Sequence, residues 1–247
     1  MEKAVIRAKL DLLITLKDST TGFAVDERNV RFIRDGEAVA ASARGEGSYV
    51  FINVGRENCL MQVIVYGYEP QTVRVDYEEL DKVLPSIDVF LIPSENTSKG
   101  EALITLKGRL SGLEKLEAIH PGRAVASFRE LDLKKRIMTV FAPNRRANLT
   151  DERYGLFNAE KTTFEIIEIE EELSDKKYRI RKNPEEEIPQ NSPICRIFYG
   201  QIWEDGTYLF RVRDDGKNLR YLIKYVVNGQ VRYKKVDFAE GGVTGLD

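Results

Sequence analysis

The sequence has few of the side chains that most often carry chemistry: 247 residues include one histidine, two cysteines and one tryptophan. Zinc sites built on nitrogen and sulfur need clustered His and Cys ligands, which this composition cannot supply. The single His120 stands before Pro121-Gly122, and no Gly-x-Ser-x-Gly nucleophile motif accompanies it. We therefore predict a turn role for His120, and no catalytic, metal or cofactor-binding residues.

The two cysteines, Cys59 and Cys195, lie in different halves of the chain among apolar neighbours. A free cysteine in such surroundings behaves as a small hydrophobic residue, so we expect both thiols to be buried and unpaired. The cysteine framework of small secreted domains is absent from the sequence.

Long apolar runs and a charge excess are also missing. No stretch approaches the roughly 20 apolar residues of a membrane helix, and residues 1–9 carry recurring charges instead of a signal peptide. We expect no membrane insertion and a cytoplasmic protein, or a surface or secreted one if a leader has been removed. The 38 Lys and Arg nearly balance 40 Asp and Glu, which argues against a nucleic-acid partner.

The residues that are present predict an all-β protein. Hydrophobic residues make up 42% of the chain and charged residues 32%, which is enough to build packed cores. Short runs with alternating or β-branched residues occur at 10–16, 30–33, 48–54, 60–66, 73–75, 88–92, 102–107, 136–141 and 163–170. Only residues 76–84 have helical spacing, enough for one helical turn.

A polar segment with Pro93 and Gly100 predicts a linker, and divides the chain into domains at residues 1–94 and 101–247. The second domain is predicted to be an antiparallel sandwich or barrel. It ends in strong hairpin signals: Asp205-Gly206 between residues 197–203 and 207–212, and Asn228-Gly229 between 219–227 and 230–238. These signals together predict a four-stranded meander.

The order of signals in the first half resembles a known family. It includes the turn at residues 18–22, the Gly47-Ser48-Tyr49-Val50-Phe51 run with Asn53 after it, the Gly67-Tyr68 pair, and a last strand closing at Pro93. Residues 8–93 resemble the carboxypeptidase regulatory-like domain, a seven-stranded β-sandwich of prealbumin-like type, to which residues 76–87 look like an insertion. Such domains are generally non-catalytic modules for folding support, spacing or binding.

Two groups of side chains are candidates for a binding role. Acidic residues at 165–172 and 185–187 offer carboxylates, but no calcium-loop spacing organises them, and a solvated acidic face explains them better. Tyr199, Trp203 and Tyr208 cluster in one predicted hairpin and could stack on a sugar or a peptide. Packing in the core explains the same three rings.

We therefore expect a non-catalytic structural or binding component, with a protein partner or an assembly such as a phage-tail-like particle. A bacterial surface adhesion or carbohydrate-binding protein is the alternative. A carboxylate-based carbohydrate hydrolase is the remaining alternative, because its paired acids would meet only in the folded chain.

Overall fold

The computed structural model describes residues 9–27, 29–95, 103–142, 149, 153–174, 176–213, 220–238 and 245–246. The described residues form strands and contain no α-helix, which confirms the all-β prediction. The chain divides into two compact units, residues 1–103 and 104–247. Most of the predicted linker lies outside the described residues.

The first unit is a sandwich of two four-stranded sheets, with strand orders β4-β5-β1-β8 and β3-β2-β6-β7. All pairs are antiparallel except β1 with β8, which run parallel. The described residues of this unit form eight strands, where the resemblance implies seven. They are β1 (Leu10–Asp18), β2 (Val30–Arg34), β3 (Glu37–Val39), β4 (Ser42–Gly45), β5 (Ser48–Ile52), β6 (Cys59–Val65), β7 (Gln71–Val75) and β8 (Ser86–Leu91).

The core of this sandwich follows from the period of two along its strands. Leu12, Ile14 and Leu16 point inward from β1, and Tyr49 and Phe51 share the inner face of β5, as the sequence predicts. Asp35-Gly36, a dipeptide typical of tight hairpin turns, joins β2 to β3: both residues have positive φ, +48° and +91°, as a type I′ hairpin requires.

The segment predicted as a helical turn, residues 76–84, is instead a hydrogen-bonded turn followed by bends. Tyr77 and Leu80 do pack against the core, as the helical spacing suggested. However, these residues form a single backbone hydrogen bond among themselves, in which the N–H of Glu79 donates to the carbonyl of Asp76. So short a segment cannot repay the cost of helix nucleation.

The second unit combines a closed barrel with a sandwich of two packed sheets. The division between the units falls after the first residue of β9. Its strands are β9 (Leu103–Arg109), β10 (Leu113–Asp132), β11 (Ile137–Phe141), β12 (Arg153–Phe157), β13 (Phe164–Ser174), β14 (Lys177–Ile180), β15 (Pro193–Tyr199), β16 (Gln201–Ile202), β17 (Thr207–Arg213), β18 (Arg220–Val227) and β19 (Gln230–Asp237).

Six of these strands close on themselves in the order β10-β11-β14-β13-β12-β15, each antiparallel to both neighbours. Side chains from all six fill the barrel, because a barrel this narrow leaves no channel. They include Phe128, Met138, Tyr154, Ile167, Tyr178 and Ile194.

The 20-residue strand β10 leaves the barrel and continues into a second layer. Its first part pairs with β18 and the end of β15, and its second part pairs with β11 and the start of β15. The pairing with β15 shifts register between Ile119 and Ala124. His120 lies at this irregularity inside a strand, so its predicted turn role is wrong.

The two predicted hairpins form but do not make one meander. β16 and β17 join β9 in a three-stranded sheet, whereas β18 and β19 extend the large sheet beside β10. The three-stranded sheet packs on that extension around a shared apolar core that includes Leu106, Leu116, Phe210, Tyr221 and Phe238. The second unit is thus a barrel and a sandwich that share strands.

Gly155 on β12 is expected to be intolerant of any side chain. A Cβ atom there would lie 2.5 Å from Ile119 Cγ2 and 3.2 Å from Phe164 Cδ2. We predict that Gly155→Ala lowers the free energy of unfolding by about 1–3 kcal/mol in urea denaturation, as overpacking does. Ile119→Ala removes the opposing methyl group, so the double variant should lose less than the sum of the single variants. Strict additivity would contradict this packing.

Candidate functional site

The structure separates the three aromatic residues that the sequence grouped. Tyr208 is 1% exposed and packs in the core between the three-stranded sheet and the extension, so its proposed surface role is wrong. Tyr199 ends β15 and packs against an apolar cluster on the other face of the large sheet. Trp203 lies in the turn after β16 and is 40% exposed. A shared stacking surface of all three rings is therefore excluded.

Tyr199 instead belongs to a row of four side chains across adjacent strands of the large sheet. Glu117 on β10 is opposite both Tyr199 on β15 and Lys224 on β18, and Lys224 is opposite Tyr233 on β19. Directly opposed residues point to the same face of a sheet. We call Tyr199, Glu117, Lys224 and Tyr233 the aromatic–charge row.

The charges of this row are partnered. Glu117 is buried, and its Oε1 lies 3.4 Å from a guanidinium nitrogen of Arg153. Lys224 Nζ lies 5.7 Å from the ring centroid of Phe164 and 5.9 Å from that of Tyr233, in the range of cation–π attraction. The row therefore presents fixed polar groups between aromatic rings.

The hydroxyl of Tyr233 is held neutral. It donates a hydrogen bond to the carbonyl of Phe164 at 3.1 Å. Burial, together with the negative charges of Glu165, Glu186 and Glu117, raises the pKa of Tyr233 to about 12, against the lowering effect of that hydrogen bond. A phenol with this pKa is a hydrogen-bonding group at neutral pH and a poor base.

Sequence reasoning missed three members of the row: Glu117, Lys224 and Tyr233. The Lys224–Tyr233 pair could have been found, because a two-residue turn at Asn228-Gly229 fixes the register of the whole hairpin. Glu117 could not, because its cross-strand neighbours Tyr199 and Lys224 stand more than 80 residues away in the sequence.

A second candidate site lies in the first unit, on the loop between β7 and β8, residues 76–85, which we call the display loop. Asp81 Oδ1 accepts hydrogen bonds from the backbone N–H groups of Val83 at 2.7 Å and Leu84 at 2.8 Å. Arg56 donates to the carbonyl of Lys82 at 2.7 Å, and the N–H of Leu13 donates to the carbonyl of Pro85 at 2.8 Å. The loop is therefore fixed at several points.

Its anchor, Arg56, is itself held in place. A second guanidinium nitrogen of Arg56 donates to the carbonyl of Leu10, and Nε lies 3.6 Å from Oδ1 of the buried Asp11. The other oxygen of Asp11 accepts from the N–H groups of Val54 and Gly55. A charge pair whose members also bond to the backbone is a rigid support.

The display loop holds two neighbouring aliphatic side chains in solvent. Val83 is 86% exposed and Leu84 is 47% exposed. Single exposed apolar residues are common on proteins. An adjacent pair on a braced loop is more informative, because preorganised apolar anchors are what protein interfaces use.

The residues best suited to nucleophilic or base chemistry are occupied in packing. The buried His120 accepts a hydrogen bond at Nδ1 from the N–H of Gly122, and its ring centroid lies 4.8 Å from that of Tyr221 in an edge-to-face arrangement. Cys59 and Cys195 are buried and free, which confirms the prediction, and burial raises the pKa of Cys195 to about 12. A thiol with that pKa is inert at neutral pH.

The acidic segments carry ion pairs along the barrel strands. Glu168 pairs with Arg181 at 2.9 Å and Glu171 with Arg179 at 3.0 Å, all four being partly or well exposed. Among the residues described, no group of three or more His, Cys, Asp or Glu side chains is placed to hold a metal ion.

Comparisons with known proteins add no family. No protein-family model matches the chain, and no curated protein matches it. A solved structure of a chimeric titin Z1Z2-Z1Z2 tandem carrying a GRGDS peptide from fibronectin covers 94% of this chain and 97% of its own, at 8% identity and a TM-score of 0.17. That score is too low to support an argument, so the carboxypeptidase regulatory-like resemblance stays a prediction. In the part of the chain that is described, no helix is long and apolar enough to cross a bilayer.

Amide hydrogen exchange can test whether Asp81 holds the display loop in place. The hydrogen bonds that the Asp81 carboxylate accepts from the N–H groups of Leu84 and Val83 lower the pKa of Asp81 below its ordinary value of 3.8. The carboxylate therefore supports the loop fully above that value, and the support is lost as the pH falls through the lowered pKa. At neutral pH we predict that Asp81→Ala speeds amide hydrogen exchange at residues 83 and 84 severalfold, while Asp81→Asn, which keeps the acceptor oxygen, does so less. Equal exchange in the two variants would contradict this role.

Proposed function

We propose that this protein is a non-catalytic binding component of a larger protein assembly and that the display loop is one of its contact surfaces. The exposed Val83–Leu84 pair on a loop fixed by Asp81 and Arg56 is the observation that carries the proposal. A partner with an apolar pocket would bind this pair without ordering the loop first, which removes an entropic cost of association. A phage-tail-like particle is one assembly of this kind.

The positions of His120 and Cys195 support a non-catalytic role. A general base must reach the proton that it removes, and a nucleophile must reach its substrate. His120 is buried against Tyr221, and the Cys195 thiol lies in an apolar core with a pKa of about 12. Both residues therefore serve the fold.

We predict that Val83→Asp combined with Leu84→Asp weakens binding of the partner about tenfold or more, because charged groups cannot enter an apolar pocket. Affinity capture from the source cells, compared by quantitative mass spectrometry, measures the loss. Leu133→Asp is the matched control. Leu133 is 59% exposed beside Asp132, whose Oδ1 caps a similar turn by accepting from the N–H groups of Lys134 and Lys135.

The proposal requires a partner that wild type and the Leu133→Asp control retain and the loop variant loses. The same partners on all three proteins would contradict the contact surface. Robust turnover of glycosides or peptides, lost on changing one Asp or Glu of the second unit, would contradict the non-catalytic role and favour the hydrolase alternative.

The aromatic–charge row supports carbohydrate binding as a second candidate function. Sugar sites combine aromatic faces with polar groups, and Tyr199, Glu117, Lys224 and Tyr233 place both in one register across four strands. We predict glycan binding that Lys224→Ala abolishes and that Lys235→Ala, on the exposed part of β19, leaves intact. A glycan array with no signal for wild type, or with equal signals for both variants, would contradict this candidate.

A further inference from the structure

A short segment of the chain is bound in the second unit as a peptide would be. Leu246 is 2% exposed and lies in the core formed by the three-stranded sheet and the extension. Its N–H donates to the hydroxyl oxygen of Tyr208 at 2.7 Å, and its carbonyl accepts from the hydroxyl of Tyr225 at 3.2 Å. Lys234 Nζ donates to the carbonyl of Gly245 at 2.7 Å.

These three side chains come from β17, β18 and β19, and the three bonds join them to main-chain atoms of Gly245 and Leu246. We call Tyr208, Tyr225, Lys234 and Gly108 the Gly-Leu seat. Main-chain bonds supply affinity whatever the sequence of a bound peptide, while pockets for side chains supply specificity. Here the apolar pocket is filled by Leu246.

The seat also selects glycine at the preceding position. A Cβ atom on Gly245 would lie 2.7 Å from the Tyr208 hydroxyl oxygen, and one on Gly108 would lie 2.5 Å from it. Glycine on both sides lets the hydroxyl reach the main chain of the segment. The contacts therefore specify a glycine followed by a leucine.

We propose that the Gly-Leu seat also accepts Gly245 and Leu246 from a second copy of this chain, so that copies become linked by exchange of this segment. The same atoms would make the same hydrogen bonds within one copy or between two. Six residues separate Phe238 from Gly245, and Gly241 and Gly242 are among them, so the connection is short and rich in glycine. Local concentration then decides between the two arrangements, and an assembly that gathers copies favours exchange.

The first experiment uses the full chain carrying Leu246→Asp, whose own segment can no longer fill the apolar pocket. A fluorescent synthetic peptide of residues 239–247 is the probe. We expect saturable binding to this variant, weaker binding to wild type, whose own segment competes, and at least tenfold weaker binding of a peptide with Gly245→Ala. Leu246→Ala, which adds no charge, serves as the second variant if Leu246→Asp does not fold.

The second experiment measures the mass of wild type by light scattering over a concentration series. Exchange predicts dimers or larger species that increase with concentration, and that an excess of the peptide returns to monomers. A folded Leu246→Asp or Leu246→Ala variant that does not bind the peptide, equal binding of the Gly245→Ala peptide, or a wild type that stays monomeric at every concentration would each overturn the proposal. The variant with Val83→Asp and Leu84→Asp should still exchange the Gly245–Leu246 segment between copies, so this test is independent of the proposed function.

Discussion

The second unit depends on one strand that belongs to two cores. β10 closes the barrel with its second part and supports the sandwich with its first part, so neither core can form without it. The change of partner from β18 to β11 takes place between Ile119 and Ser127. The pairing with β15 is irregular between Ile119 and Ala124, and such an irregularity lets a strand bend between two layers. His120 lies at this irregularity and packs on Tyr221. The residue that looks most like a catalytic base is thereby committed to the fold.

The same strand positions both features of the second unit that could bind a partner. Its first part carries Glu117 into the aromatic–charge row and holds β18 in register beside it. β18 also contributes Tyr225 to the Gly-Leu seat, and Tyr225 points to the opposite face from Lys224 because successive side chains alternate. One hairpin, β18 with β19, thus presents an aromatic–charge surface on one side and a peptide seat on the other.

Local chemistry made part of this fold predictable. Asp35-Gly36 and Asn228-Gly229 adopt the positive φ angles that type I′ turns need, and the alternation along β1 and β5 identifies the buried face of the sandwich. Long-range pairing was not predictable. β17 and β18 follow each other in sequence, but β17 pairs with β9 and β18 pairs with β10, across about a hundred residues.

The same contrast between local and long-range contacts applies to the candidate sites. The Lys224–Tyr233 pair follows from the turn that joins its strands, whereas the burial of Tyr208 depends on a layer formed by distant segments. In the display loop, the sequence shows Asp81 two residues before Val83, a spacing that permits the capped turn. It does not show that Arg56, from another loop, braces the same segment.

If the display loop is a contact surface, as we propose, site-specific photo-crosslinking will link the partner to this loop. A photoreactive amino acid replaces Val83 in one protein and Leu133 in a second, and both are irradiated in the native assembly. We expect a discrete crosslinked product at position 83 that is absent at position 133. Equal labelling at the two positions, or no product at position 83, would contradict it.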